Sequence, residues 1–263
     1  MTTTAKDIET ALLMQADDRQ RLHLMRFFKT GKGEYGEGDE FLGLRVPQTR
    51  LVVKEAKGSV SDPEIEKLLC SRWHEVRLAG FLLLVEEMKH LLPKKSDYLR
   101  SKSSGTMTPF QTVNSKADRR KAIAELYLKH ARQANNWDLV DMSCPKILGY
   151  YLLYSDRNDF SILYQLAKSD NLWEQRIAMV TNWMLIRKGI FGPALDIADI
   201  LICHPHDLIH KAAGWMLREI GKRDKSVLTD YLESRFRRMS RTTLRYAIEK
   251  FPEPERLFWI NHR

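Results

Sequence analysis

Three segments of the chain repeat one pattern, and that repetition limits the fold more than any other feature. They are Trp73-His-Glu-Val-Arg77-Leu-Ala-Gly-Phe-Leu, Trp173-Glu-Gln-Arg176-Ile-Ala-Met-Val and Leu208-Ile-His-Lys211-Ala-Ala-Gly-Trp-Met-Leu. Each sets a polar anchor, a small residue two places on, and then a long apolar run. Arg176 and Lys211 are 35 residues apart, and the same step before Arg176 reaches Asp141, with Ser143 at the small-residue place. Arg77 lies a further 64 residues upstream, about two repeats.

A period of about 35 to 45 residues with helix-pair character signals a stacked array, because one helix pair cannot bury its apolar face alone. The expected fold is all-α: a right-handed α-solenoid of HEAT-like helix pairs, forming a single domain over residues 1–263. Gly (13) and Pro (9) are sparse for a sandwich or barrel, and no stretch alternates with period two. Pro47 and Asp62-Pro63 mark helix starts. Thr3 or Thr4 caps a first helix expected to run through Leu12 toward Leu22. Residues at about 94–118, poor in apolar side chains, are expected to form a loop insertion.

Equivalent positions in such an array line up along one face. Arg77, Asp141, Arg176 and Lys211 would then form a stripe of three cations and one carboxylate. Trp137 and Trp215 sit one helical turn from Asp141 and Lys211 on the same face. Taken singly, each has a plainer reading: an Asp near a helix start is often a cap, and a Trp at helical spacing is usually core. The core reading is preferred for Trp173 and Trp183. Function enters with the whole set, an isolated carboxylate among cations and aromatics in a chain of net charge +9.

That charge suits a polyanion, because clustered Lys and Arg release counterions condensed on phosphates. The concave face of the array is therefore expected to be basic and to bind DNA. The C-terminal third adds Arg218, Lys222, Arg223, Lys225, Arg235, Arg237, Arg238, Arg241 and Arg245. Cys70, Cys144 and Cys203 are too scattered for a disulfide framework and suit a reducing compartment. With no leader-like or membrane-length apolar segment, the expected location is the cytoplasm. The glycine-rich Thr30–Asp39 loop lacks the spacing of a phosphate-binding loop. Cys203-His-Pro-His-Asp-Leu-Ile-His210 has metal-like residues, but the simpler reading is a turn with Asp207 as helix cap. No metal and no cofactor are expected.

Several of these segments resemble the AlkD-like DNA alkylation-repair glycosylases. They are Phe41-Leu-Gly-Leu-Arg-Val-Pro47, Asn135-Asn-Trp-Asp-Leu-Val-Asp141, Pro145-Lys-Ile-Leu-Gly149, Glu174-Gln-Arg176, His204 through Glu219, and Leu244-Arg-Tyr-Ala-Ile-Glu249. The resemblance runs from about residue 8 to 255. It implies a HEAT-like glycosylase that excises cationic N3- and N7-alkylated purines from duplex DNA, and a monomer is the default. By motif position it makes Asp141 the catalytic carboxylate and Trp137 and Trp215 the aromatics flanking the lesion's sugar. Arg176 becomes a phosphate-contacting arginine, and Arg218 and Tyr35 further DNA contacts. Arg77, Lys211 and Arg245 complete the expected DNA-binding set. Some relatives bind DNA without excising bases, and a non-catalytic DNA-structure-binding protein is the alternative. A scaffold for an acidic protein is the third reading.

Overall fold

The structure, a computed structural model, describes residues 2–93, 116–155 and 159–262. The expected insertion lies outside the described residues from 94 to 115. Among the described residues every regular element is helical, and one isolated backbone bridge joins Glu40 to Trp73. The chain divides into two compact units, residues 1–147 and 148–263.

The N-terminal unit holds α1 (Ala5–Leu13), α2 (Asp18–Phe27), α3 (Val46–Ala56), α4 (Asp62–Leu69), α5 (His74–His90) and α6 (Ala117–Lys129). After a short 3-10 turn at Ala131–Gln133, α7 (Trp137–Leu153) begins in this unit and runs past its boundary. Thr4 caps α1 in a capping box with Asp7. The helix ends at Leu13 instead of continuing toward Leu22. Asp17 starts a new helix there, accepting the Gln20 N–H at 3.0 Å while its own N–H donates to the Leu42 carbonyl at 3.0 Å. A side chain that caps one helix cannot also sit inside the preceding one. Pro47 and Pro63 occupy first-turn positions of α3 and α4 as expected.

α5 is buried on nearly all sides, because α1, α3, α4 and α6 pack around it. This is why its sequence shows a continuous apolar run rather than a stripe. Arg119 of α6 forks between Asp62 of α4, at 2.6 and 2.7 Å, and Glu87 of α5, at 2.6 and 2.7 Å. Glu87 is therefore committed to a three-helix ion-pair network.

The C-terminal unit contains α8 (Ser161–Ala167), α9 (Leu172–Ile186), α10 (Gly192–Ile200), α11 (Asp207–Gly221), α12 (Lys225–Arg235), α13 (Arg241–Ala247) and α14 (Glu253–Asn261). Here α9, α11 and α13 pack in sequence on one another, and α8, α10 and α12 flank them. This is the paired stacking that the repeat demands. Asp141, Arg176 and Lys211 each stand at the fifth position of their helix, so the 35-residue step is a true structural register. The cap of α11 is His206 rather than Asp207. Its Nδ1 accepts the Leu208 N–H at 3.1 Å, and Asp207 takes the first helical position and pairs with Lys211 at 2.8 Å.

Gly43 has φ +92°, and a Cβ there would lie 2.1 Å from the Asp17 carbonyl oxygen. The backbone on both sides of this contact is tied down, so neither partner can yield. Gly43→Ala is expected to lower unfolding free energy by at least about 2 kcal/mol, read from urea denaturation. An unchanged midpoint would contradict this account of the loop.

Candidate active site

The start of α7 is built into a buried charge network. His74, at the start of α5, directs Nδ1 at Asp39 Oδ2 at 2.8 Å and Nε2 at Asp138 Oδ2 at 2.9 Å. Arg77, one turn on, donates to the other Asp39 oxygen and to Asn135 Oδ1 at 3.0 Å. Its second arm donates to the carbonyls of Ser71 at 2.8 Å and Arg72 at 2.9 Å. The neighbouring Glu75 accepts the N–H groups of Leu42, Gly43 and Leu44 at 2.9, 2.9 and 3.0 Å. The Phe-Leu-Gly-Leu segment is thus a loop whose backbone donors are collected by one buried carboxylate.

Burial alone would push the His74 pKa down, but the charges and hydrogen bonds of Asp138 and Asp39 outweigh it and raise the value to about 9. Burial pushes the Asp39 carboxyl up, and His74 and Arg77 more than offset that, holding it below its ordinary value. At neutral pH both imidazole nitrogens donate, one to each carboxylate.

An aromatic column leads from this network outward. Phe41 stacks on His74 with centroids 4.3 Å apart, Phe28 on Phe41 at 5.2 Å, and Trp137 on Phe28 at 5.4 Å. Phe27, 55% exposed, meets Trp137 edge-on at 5.8 Å. Asn136 locks the corner. Its Oδ1 accepts the Trp137 N–H at 2.9 Å and its Nδ2 donates to the Phe28 carbonyl at 3.4 Å. Trp137 is half-buried, and so is Asp141 one turn later.

Sequence reasoning missed the cations that neighbour this helix. Arg50 of α3 reaches Met142, the residue after Asp141, with Nη2 3.9 Å from Sδ. Lys146, one turn beyond Met142, has a lowered pKa. Burial contributes most, and repulsion from Lys89 of α5 and Arg50 adds to it, against a weaker pull from Glu86. Lys146 thus feels cations of two other helices, Arg50 and Lys89, the latter also paired with Glu86 at 2.6 Å. No motif could show this, because the residues are scattered through the sequence and meet only on folding.

The expected phosphate contacts fare differently. Arg77 is 4% exposed, and both its terminal nitrogens donate to protein partners, so it pins the α5–α7 corner from within the unit. Arg176 is 5% exposed and donates to the Leu208 carbonyl at 2.6 Å, inside the C-terminal unit. Both burials have one cause: an anchor before a long apolar run sits where the helices converge. Arg218 pairs with Glu249, Lys222 and Arg223 with Glu219, Lys225 with Glu255 and Arg235 with Asp199. Arg245 is exposed on α13, and Tyr35 is half-buried in the glycine-containing loop.

In the C-terminal unit Trp215 is half-buried on α11. Trp183, read from sequence as core, is likewise half-exposed. Its ring lies 6.4 Å from Trp215, and the Arg187 guanidinium sits 5.1 Å from its centroid. Trp173 is buried as expected. Gly214 precedes Trp215 because a Cβ there would meet Tyr246 Cβ at 2.4 Å and the Thr243 carbonyl at 2.7 Å, so α11 and α13 touch at this point.

The profile of the DNA alkylation repair enzyme family matches residues 8–251, and the chain belongs to that family. A solved structure described as a predicted DNA alkylation repair enzyme from Enterococcus faecalis is similar in fold, with a TM-score of 0.62 and 15% sequence identity. The match covers 90% of this chain and 97% of the other. Comparison with curated proteins yields no significant match. Among the described residues no helix is long and apolar enough to cross a membrane.

The pH dependence of stability follows from His74. Its folded pKa of about 9 lies above the unfolded value near 6.5, so its contribution is complete below pH 6.5 and is lost as pH rises through 9. Wild type is expected to lose stability relative to His74→Gln between pH 6 and pH 10, on the order of 3 kcal/mol. Urea midpoints of both proteins at the two pH values measure it. Parallel pH profiles would show that His74 is neutral in the native state.

Proposed function

We propose that the protein is a DNA glycosylase that excises cationic N3- and N7-alkylated purines from duplex DNA, with Asp141 as its catalytic carboxylate. The observation that carries this reading is the setting of Asp141: a half-buried carboxylate one turn from Trp137, on a helix whose first turn is held by buried ion pairs. Membership of an alkylation-repair family supports the substrate class.

The chemistry needs little more than one well-placed negative charge. An alkylated purine already carries a positive charge, so it departs as a neutral base without a general acid. Breaking the glycosidic bond then develops oxocarbenium character on the deoxyribose. An ionised Asp141 stabilises that cation and orients the attacking water. Preorganisation matters here, because a carboxylate that must be turned into place during the reaction contributes far less than one already fixed.

Trp137 offers a π face to the cationic sugar or base, an attraction of about 0.5–2 kcal/mol. It is held for that role by the Phe28–Phe41–His74 column behind it. Trp215 in the C-terminal unit presents a second aromatic face to DNA. Arg50, Lys89 and Lys146 are assigned to phosphates of the bound strand, a contact that sets register and carries no base sequence. Lys211, Arg218 and Arg245 of the C-terminal unit are assigned the same work, the first two exchanging their carboxylate partners for phosphate. Arg176 supports that surface from within.

Two measurements test the assignment. Asp141→Asn is expected to cut release of 7-methylguanine and 3-methyladenine from methylated duplex at least about a hundredfold, with duplex affinity within about twofold of wild type. Excision at the wild-type rate would remove Asp141 from the mechanism. No release by either protein, with binding intact, would leave a DNA-structure-binding protein. Arg50→Ala is expected to weaken duplex binding and flatten its salt dependence by about one phosphate contact. An unchanged salt slope would remove the cation cluster from the interface.

A further inference from the structure

We propose that Cys70, His130 and Glu66 form a nucleophile, base and orienting set, and that Cys70 accepts small alkyl groups from soft carbon electrophiles. The three residues lie in the N-terminal unit and are separate from Asp141 and the buried His74 network. Glu66 and Cys70 are four residues apart, with Glu66 in α4 and Cys70 capping its C-terminus, so they share a face. His130 caps the C-terminus of α6. Its Nδ1 is 3.7 Å from Cys70 Sγ and its Nε2 is 3.3 Å from Glu66 Oε1.

The charges settle which ring nitrogen carries the proton. Lys129 holds Glu66 Oε1 at 2.5 Å, and the hydrogen bonds of Lys129 and then His130 keep the Glu66 carboxyl below its ordinary value. An ionised Glu66 accepts, so Nε2 donates to it and the Nδ1 lone pair faces the thiol. This is the nucleophile–base–orienter logic of thiol chemistry. Cys70 closes α4 at its C-terminal end, where the helix dipole opposes a thiolate. Activation therefore has to come from His130.

Exposure completes the case. Cys70 is open to solvent, whereas the His130 side chain is only 11% exposed. A small electrophile reaches the sulfur while the base stays shielded. In the reaction the thiol proton passes from Sγ to His130 Nδ1, and the sulfur electron pair forms a bond to an sp3 carbon. The bond from that carbon to its leaving group breaks, and the leaving group departs with the electron pair as an anion. The products are a thioether at Cys70, an imidazolium at His130 and the free anion. The electrophile is of the class that alkylates purine nitrogens, an alkyl halide or alkyl sulfonate, and no oxidant or cofactor takes part.

The test is site-resolved alkylation of the full chain at neutral pH with iodoacetamide and, separately, methyl iodide, read by peptide mass. The exposed Cys203 is the internal reference and the buried Cys144 the unreactive one. Cys70 is expected to react at least about tenfold faster than Cys203, the gain from a base within reach of its thiol proton. His130→Gln should bring Cys70 down to the Cys203 rate, and Glu66→Gln should leave it between the two. Circular dichroism confirms folding of both variants, and Glu66→Gln, at a largely solvated pair, keeps the test open if His130→Gln does not fold. Equal rates at Cys70 and Cys203 in wild type would overturn the proposal, as would a Cys70 rate insensitive to both substitutions.

Discussion

The N-terminal unit depends on a histidine held between two carboxylates in the protein interior. Charged groups this deep are tolerated only as a complete set, because each ion left without its partner costs several kcal/mol. His74, Asp39, Asp138 and Arg77 form such a set, two cations and two anions, and the set joins three separate pieces of chain. One is the loop before α3, one is the start of α5, and one is the first turn of α7. The same ring is also the base of the aromatic column that supports Trp137. A single residue thus couples electrostatics to packing at the place where α7 enters the candidate site.

This arrangement shows how a buried polar network can matter for position more than for net stability. An apolar replacement of the whole set could be as stable. It could not fix the rotation of the first turn of α7, because van der Waals contacts do not define direction as hydrogen bonds do. Asp141 and Trp137 share that turn and the next, so they inherit its orientation. The alkylation-repair chemistry proposed for Asp141 relies on a preset charge, which is the property such a scaffold confers.

The distribution of cations follows the same logic of partners. A net charge of +9 suggests a uniformly basic surface. Many of the arginines and lysines of the C-terminal unit are instead matched with carboxylates one helix away. Exposed pairs of this kind stabilise little, and they exchange readily for phosphate. In the N-terminal unit burial lowers the Lys146 pKa, and repulsion from Lys89, which is itself paired with Glu86, and from Arg50 adds to it. Repulsion of this sort is what a bound anion relieves.

The sequence alone determined that the chain is helical, that its helices recur at a step of 35 residues, and that Trp137 stands one turn from Asp141 and Trp215 one turn from Lys211. These are local matters: period, capping and spacing are set by neighbours in the chain. The family resemblance was legible for the same reason, since its motifs are contiguous. What lay beyond the sequence was which anchors of the repeat turn inward. Arg77 and Arg176 look like surface cations in the pattern but are buried, because burial depends on what packs opposite. The partnership of His74 with Asp39 and Asp138, the capture of the Phe41–Leu44 loop by Glu75, and the meeting of Arg50 with Lys146 were likewise decided by tertiary structure. Each joins residues tens of positions apart, and electrostatic neighbours at that separation exist only once the chain has folded.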